Sequence, residues 1–218
     1  MKLSNHFGLP SLVAFSMLGM GQLAYSQDYP SHLFTASIGG GYTAITGDSS
    51  GRLDRGGNIQ ASAGINMGHH FGINGTFTFN QVGITRSALD LEGQPDGNGR
   101  VYSFTVDPTV RFPLFKGVNG YLLAGGGWLR RTVEFTKPTL AQTIIFDPWF
   151  GYYGPALVPV NEVLGSYTSD AGAVDVGGGL NIPLRDSGVS AFVEARYVHG
   201  FTPQTATELV PITVGLRW

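Results

Sequence analysis

Apolar and small polar side chains alternate in this chain with a strict two-residue period, sustained over segments of about ten residues and repeated along its length. Ile59, Ala61, Ala63, Ile65 and Met67 interleave with Asn58, Gln60, Ser62, Gly64 and Asn66. Phe71, Ile73, Gly75, Phe77 and Phe79 interleave with Gly72, Asn74, Thr76, Thr78 and Asn80. The same rhythm sets Tyr102, Phe104, Val106, Val110 and Phe112 against Ser103, Thr105, Asp107, Thr109 and Arg111, and Ile212, Val214, Leu216 and Trp218 against Thr213, Gly215 and Arg217. Successive side chains point to opposite faces only in a β-strand, so a helical reading is excluded for these stretches. Eight strands are predicted, at about 33–46, 57–68, 71–83, 100–112, 120–135, 171–183, 188–199 and 209–218. Pro108 lies inside the fourth, where it calls for a bulge or a shifted boundary.

The spacing between these segments is as informative as the segments. Connections after the second, fourth and sixth strands are short, and those after the first, third, fifth and seventh are longer, the longest running from 136 to 169. A membrane barrel has this asymmetry, with short periplasmic turns and long external loops, and ten residues is the length of a tilted strand that crosses a bilayer. The apolar faces carry Phe, Tyr, Ile, Val and Leu, too bulky in number for a narrow eight-stranded lumen, whereas the polar faces are Gly, Ser, Thr and Asn with a few charges. The reading is therefore an all-β, up-and-down antiparallel transmembrane β-barrel of eight strands, with a secreted lipocalin-like barrel as the alternative. At the N-terminus Lys2 precedes an apolar stretch from Phe7 to Leu23 and then Ala24-Tyr25-Ser26, which predicts a signal peptide over 1–26, a barrel domain over 27–218 and an outer-membrane location.

Composition removes other classes. With 13 Lys and Arg against 15 Asp and Glu the chain has no basic face for nucleic acid. It has no cysteine, so disulfides, zinc-thiolate sites and thiol nucleophiles are out. The 33 glycines follow no collagen period, and triplets such as Gly39-Gly40-Gly41, Gly125-Gly126-Gly127 and Gly177-Gly178-Gly179 precede no helix, so they read as close-packing points rather than phosphate cradles. His69-His70 falls in a tight turn without further ligands nearby, and no metal or other cofactor is expected.

The glycine-rich first strand Ser37-Ile38-Gly39-Gly40-Gly41-Tyr42, the strand Phe192-Val193-Glu194-Ala195-Arg196-Tyr197 and the last strand Ile212-Thr213-Val214-Gly215-Leu216-Arg217-Trp218 together resemble the small eight-stranded outer-membrane β-barrel proteins of the OmpA, OmpX and opacity-protein type. That resemblance implies that Ile212, Val214, Gly215, Leu216 and the terminal Trp218 form the signal read by the barrel-assembly machinery, where the family more usually ends in Phe.

Alternation also sorts the charges. The chosen parity places Asp107, Glu134, Asp175 and Glu194 in the lumen with Arg111, Arg130, Arg196 and Arg217, as a salt-bridged plug or, on the sharper reading, a proton or solute path. An Arg on the lipid face costs roughly 2–4 kcal/mol near the midplane. Arg131 breaks the parity and is expected to snorkel outward near the strand end. Within 136–169, the rings of Trp149, Phe150, Tyr152 and Tyr153 mark a contact site, or else pack on themselves over the barrel mouth. His199 and Glu208 suggest an outer-leaflet lipid hydrolase, with no supporting spacing of a nucleophile. The function expected is thus a non-enzymatic outer-membrane barrel, structural or adhesive, touching outer-membrane lipids, lipopolysaccharide and an extracellular ligand through its loops. The alternatives are a lipid-modifying enzyme and a small passive pore.

Overall fold

A computed structural model describes residues 33–115, 117–184 and 188–218. The predicted signal segment 1–26 lies outside the described residues. Eight antiparallel strands, β1 (Phe34–Ile45), β2 (Leu53–Met67), β3 (Phe71–Ile84), β4 (Asp96–Phe115), β5 (Val118–Asp147), β6 (Tyr152–Pro183), β7 (Ser190–Gly200) and β8 (Thr207–Arg217), pair in chain order and close into a barrel. Closure is made by β8 on β1, from Ser37 opposite Arg217 to Ile45 opposite Leu209. Ala36 and Trp218 exchange two backbone bonds of 2.8 and 3.0 Å beyond that ladder.

The barrel is inverted relative to a soluble protein. Its wall exposes Ile38, Ile59, Phe77, Phe104, Leu122, Val193, Val214 and many other large apolar groups, while Asn58, Gln60, Thr76, Asn80, Asp107, Glu194, Arg196 and Thr213 are buried inside. Only a solvent of hydrocarbon makes that arrangement favourable. Aromatic rings gather at the two ends of the wall, Phe34, Phe71, Phe112, Phe115 and Trp218 at the end of the short turns and Tyr42, Trp128 and Tyr197 at the other, as interfacial girdles do.

Three differences from the sequence reading have physical causes. The stretch 136–169 is not a loop: β5 and β6 continue through it as one long ribbon, in register from Thr136 opposite Val163 to Asp147 opposite Tyr152, with a turn at 148–151. Its prolines read as loop punctuation, yet an edge position tolerates Pro because the missing N–H faces away from the paired strand. Pro108 needs no bulge. It pairs with Ile73 on one side, and on the other the β4–β5 ladder lapses between Val106 opposite Gly126 and Thr109 opposite Leu123, resuming in phase. The third difference is a short helix, α1 (Arg86–Glu92), in the β3–β4 connection, begun by Thr85 accepting from the Ala88 amide and ended by Gly93 at φ 64°.

Candidate functional site

Inside the barrel the polar faces of the strands converge on Arg196, which is 5% exposed. Its Nη1 donates to Asp107 Oδ2 at 2.6 Å and to Asp175 Oδ2 at 2.9 Å, its Nε to Glu194 Oε1 at 2.7 Å and its Nη2 to Thr76 Oγ1 at 3.1 Å. Glu194 accepts further bonds from Gln60 Nε2 at 2.7 Å and from the Tyr121 hydroxyl at 2.7 Å. Towards the short-turn end, Arg217 approaches Glu194 at 3.6 Å, donates to Asn181 at 2.9 Å and stacks on Tyr121 and Phe192 at 4.6 and 4.9 Å. Arg111 lies at that end too, bonded to Asn66. A guanidinium carries five donors in a fixed fork, so one Arg can tie together carboxylates from β4, β6 and β7.

Glycine makes room for this cluster. A Cβ at Gly125 would collide with Asp107, one at Gly177 would sit 2.9 Å from Arg196 Cγ, and one at Gly179 would sit 2.5 Å from the Tyr121 hydroxyl. The abundance of glycine on inward positions therefore follows from filling a narrow lumen with long side chains. Above the ionic layer, towards the long connections, Val101, Leu129, Ala173, Val198 and Leu209 form an apolar layer with Ile45 packed against it. The lumen is thus stacked from charged to dry.

Two of the expected lumen charges are elsewhere. Arg130 points outward, pairs with Asp170 through two bonds of 2.8 and 3.0 Å and lies 5.2 Å above the Trp128 ring. Glu134 is also on the outer face, where it accepts from Arg100 at 2.9 Å. Arg131, expected outside, turns inward and donates to Thr205 O and Thr207 Oγ1 at 3.2 and 3.1 Å. The parity of β5 is the reverse of the expected one because its inward face is apolar at Tyr121, Leu123 and Leu129, so that both faces of this strand carry large apolar groups. Asp107, Asp175, Glu194 and Arg196 meet; Gln60, Thr76 and Tyr121 complete their shell, and only the first two of these sit on a face that alternation marks as polar.

Outside, Ile212, Val214, Leu216 and Trp218 are exposed in one outward stripe, and Gly215 faces in beneath the Phe192 ring. At the upper rim His199 Nδ1 meets Glu208 Oε1 at 3.1 Å, which also accepts from the Tyr197 hydroxyl at 2.7 Å. The hydroxyl that joins this pair is a tyrosine's, on the carboxylate side, and the neighbouring Ser49 gives its hydroxyl to the backbone oxygens of Thr46 and Glu208. No group of three or more metal-ligating side chains occurs among the described residues. The rings expected as a contact surface stand at the tip of the β5–β6 ribbon, Trp149 92% exposed, with Phe150, Tyr152 and Tyr153 exposed beside it. Phe150 pairs with Tyr152, and Tyr153 with Phe146, at 6.4 and 5.2 Å.

The comparisons agree with this architecture. Neisserial surface protein A superimposes with a TM-score of 0.55 at 13% identity, over 85% of this chain and 96% of that one. A major outer membrane protein of Thermus thermophilus gives 0.55 at 12% identity, over 85% and 97%. At such identities the likeness is one of fold. No curated protein matches by sequence. The model of the outer membrane protein beta-barrel domain family matches residues 11–217, nearly the whole of the described barrel, and the chain belongs to that family.

Proposed function

We propose that this protein is a non-enzymatic surface barrel whose β5–β6 ribbon makes adhesive contacts outside the cell. The observation that carries the reading is the division of labour between a filled lumen and an exposed ribbon. The interior is occupied by the Arg196 cluster and the apolar layer around Leu129, which speaks against a solute path. The ribbon carries solvent-facing rings at its end, the chemistry that anchors protein interfaces. The wall contacts outer-membrane lipids and lipopolysaccharide, and the β8 stripe is the segment offered to the assembly machinery.

The test is display of the protein in a heterologous Gram-negative host, with residues 139–160 replaced by a two-residue turn. Adherence to other cells or surfaces is expected to fall to the level of the empty host, while the barrel still shows heat-modifiable mobility in the outer-membrane fraction. Unchanged adherence, or lipid hydrolysis by the purified protein, would overturn the reading.

A further inference from the structure

Among the described residues, β5 pairs with no strand on the β4 side beyond Asp96 opposite Thr136, and β6 with none on the β7 side beyond Ala173 opposite Gly200 and the bond from the Phe201 amide to Gly172 O. The ribbon therefore stands out with two open edges, reaching about 35 Å along residues 137–147 at the usual rise per residue. An isolated two-stranded ribbon with unpaired backbone groups invites a further strand.

The two edges are not equivalent. Pro155 lies opposite Ile144 and Pro159 opposite Leu140. A proline has no N–H to give its cross-strand partner, so these are pairs whose backbone groups face away from the ribbon's own ladder. On the β6 edge the outward nitrogens are then those of Tyr153, Pro155, Leu157, Pro159 and Asn161, so that a blocked position separates every pair of donors. On the β5 edge they are those of Leu140, Gln142, Ile144 and Phe146, with Pro138 only at the base. One edge is closed to strand addition and the other is open.

We infer that the open β5 edge pairs antiparallel with the same edge of a second copy held in an apposed membrane, joining two surfaces through a homophilic ribbon. This deepens the adhesive reading above and rests on it. Centring the pairing on Gln142 sets Leu140 across from Ile144 of the second copy, all with outward backbone groups. It also sets the Lys137 position across from Asp147 of the second copy, opposite formal charges at both ends of the ladder. A shift of two residues either way loses that match. Because β6 is blocked, the assembly closes at two chains instead of growing into a fibre. β5 runs outward from the barrel, so an antiparallel partner must come from a chain pointing the other way. Two copies in one membrane would run parallel about a two-fold axis and set each Leu140 N–H against its own counterpart, which forms no ladder.

The experiment uses the full barrel in phospholipid vesicles labelled with two fluorophores, with clustering read by energy transfer. Clustering is expected when both populations carry the protein, and none when one is protein-free. Gln142→Pro, which removes an outward N–H on the open edge, is expected to lower clustering at least tenfold. Leu157→Pro, at the directly opposed position on the blocked edge, is expected to leave it unchanged. Folding of each variant is checked by heat-modifiable mobility. Independently of proline, vesicles bearing Lys137→Asp and vesicles bearing Asp147→Lys should each fail to cluster alone and should cluster when mixed. Clustering of wild-type vesicles with protein-free ones would assign the ribbon to lipid and overturn the inference, as would equal loss in the two proline variants, wild-type clustering by Gln142→Pro, or no clustering at all. Ribbon-dependent adherence of displaying cells to a foreign surface without vesicle clustering would sink the self-pairing and leave the adhesive reading standing.

Discussion

At the scale of single residues, position relative to the wall decides what a charge is worth. Arg196 is held by three carboxylates away from water, and Asp107 Oδ1 and Asp175 Oδ1 already lack partners among the described residues. Removing the guanidinium strands like charges in a low-dielectric interior, at about 3–5 kcal/mol for breaking such a buried pair. Arg196→Ala is therefore expected to lower the denaturant midpoint strongly, and Glu194→Ala to lower it more than Glu92→Ala, which alters only α1. Arg130→Ala breaks a pair that water or headgroups replace at little cost, and its midpoint is expected to stay near wild type. Urea titrations of the four variants in one detergent or lipid check the order, and equal midpoints for Arg196→Ala and Arg130→Ala would contradict it. Alternation sufficed to orient Asp107, Glu194, Arg196 and Arg217, because the apolar groups beside them in sequence, Val106, Val193, Tyr197, Leu216 and Trp218, all face outward. It failed for Arg130, Arg131 and Glu134 because Leu129 faces inward and Trp128 outward, leaving no polar face to read.

At the scale of elements, a strand is defined by its register. β8 has to pair β7 from Ser190 opposite Arg217 and β1 from Ser37 opposite the same residue, with its apolar stripe outward. Inserting one residue after Gly215 turns Leu216 and Trp218 into the lumen, already filled there by Phe192 and Arg217. Such an insertion is expected to leave export intact but to block assembly, and deletion of Trp218, which removes the two bonds to Ala36, to weaken it. A tag in the 148–151 turn, read by surface labelling against protease-sensitive periplasmic material, measures this. Wild-type surface labelling of the insertion variant would show that the register of β8 does not govern assembly. The ribbon was the element least legible in the sequence. Both of its faces meet solvent along 137–160, so nothing selects for alternation, and a proline on an edge is indistinguishable in sequence from one in a loop. The barrel strands were legible for the opposite reason: hydrocarbon on one side and a packed lumen on the other enforce period two.

At the scale of the whole molecule, the question is whether closure leaves a path. An eight-stranded barrel has an interior just wide enough for side chains, and here three layers occupy it in turn. Phe192, Tyr121 and Arg217 stack at the short-turn end, the carboxylates gather on Arg196 in the middle, and Val101, Leu129, Val198 and Leu209 close the upper end. An ion entering from either side would have to displace a guanidinium from its carboxylates and then cross an apolar layer with no group to replace its water. Purified protein in planar bilayers is accordingly expected to show no stable porin-sized conductance at neutral pH. Opening the dry layer alone should not change this, because the ionic layer remains. The informative variant combines Leu129→Ala and Leu209→Ala with Arg196→Ala and Phe192→Ala, which thins all three layers while the wall is kept, and brief, small openings are expected from it once its folding is established by heat-modifiable mobility. A large, reproducible conductance from the wild-type barrel would mean that the layered interior rearranges readily in the membrane, and the division between a sealed lumen and a contacting ribbon would have to be abandoned.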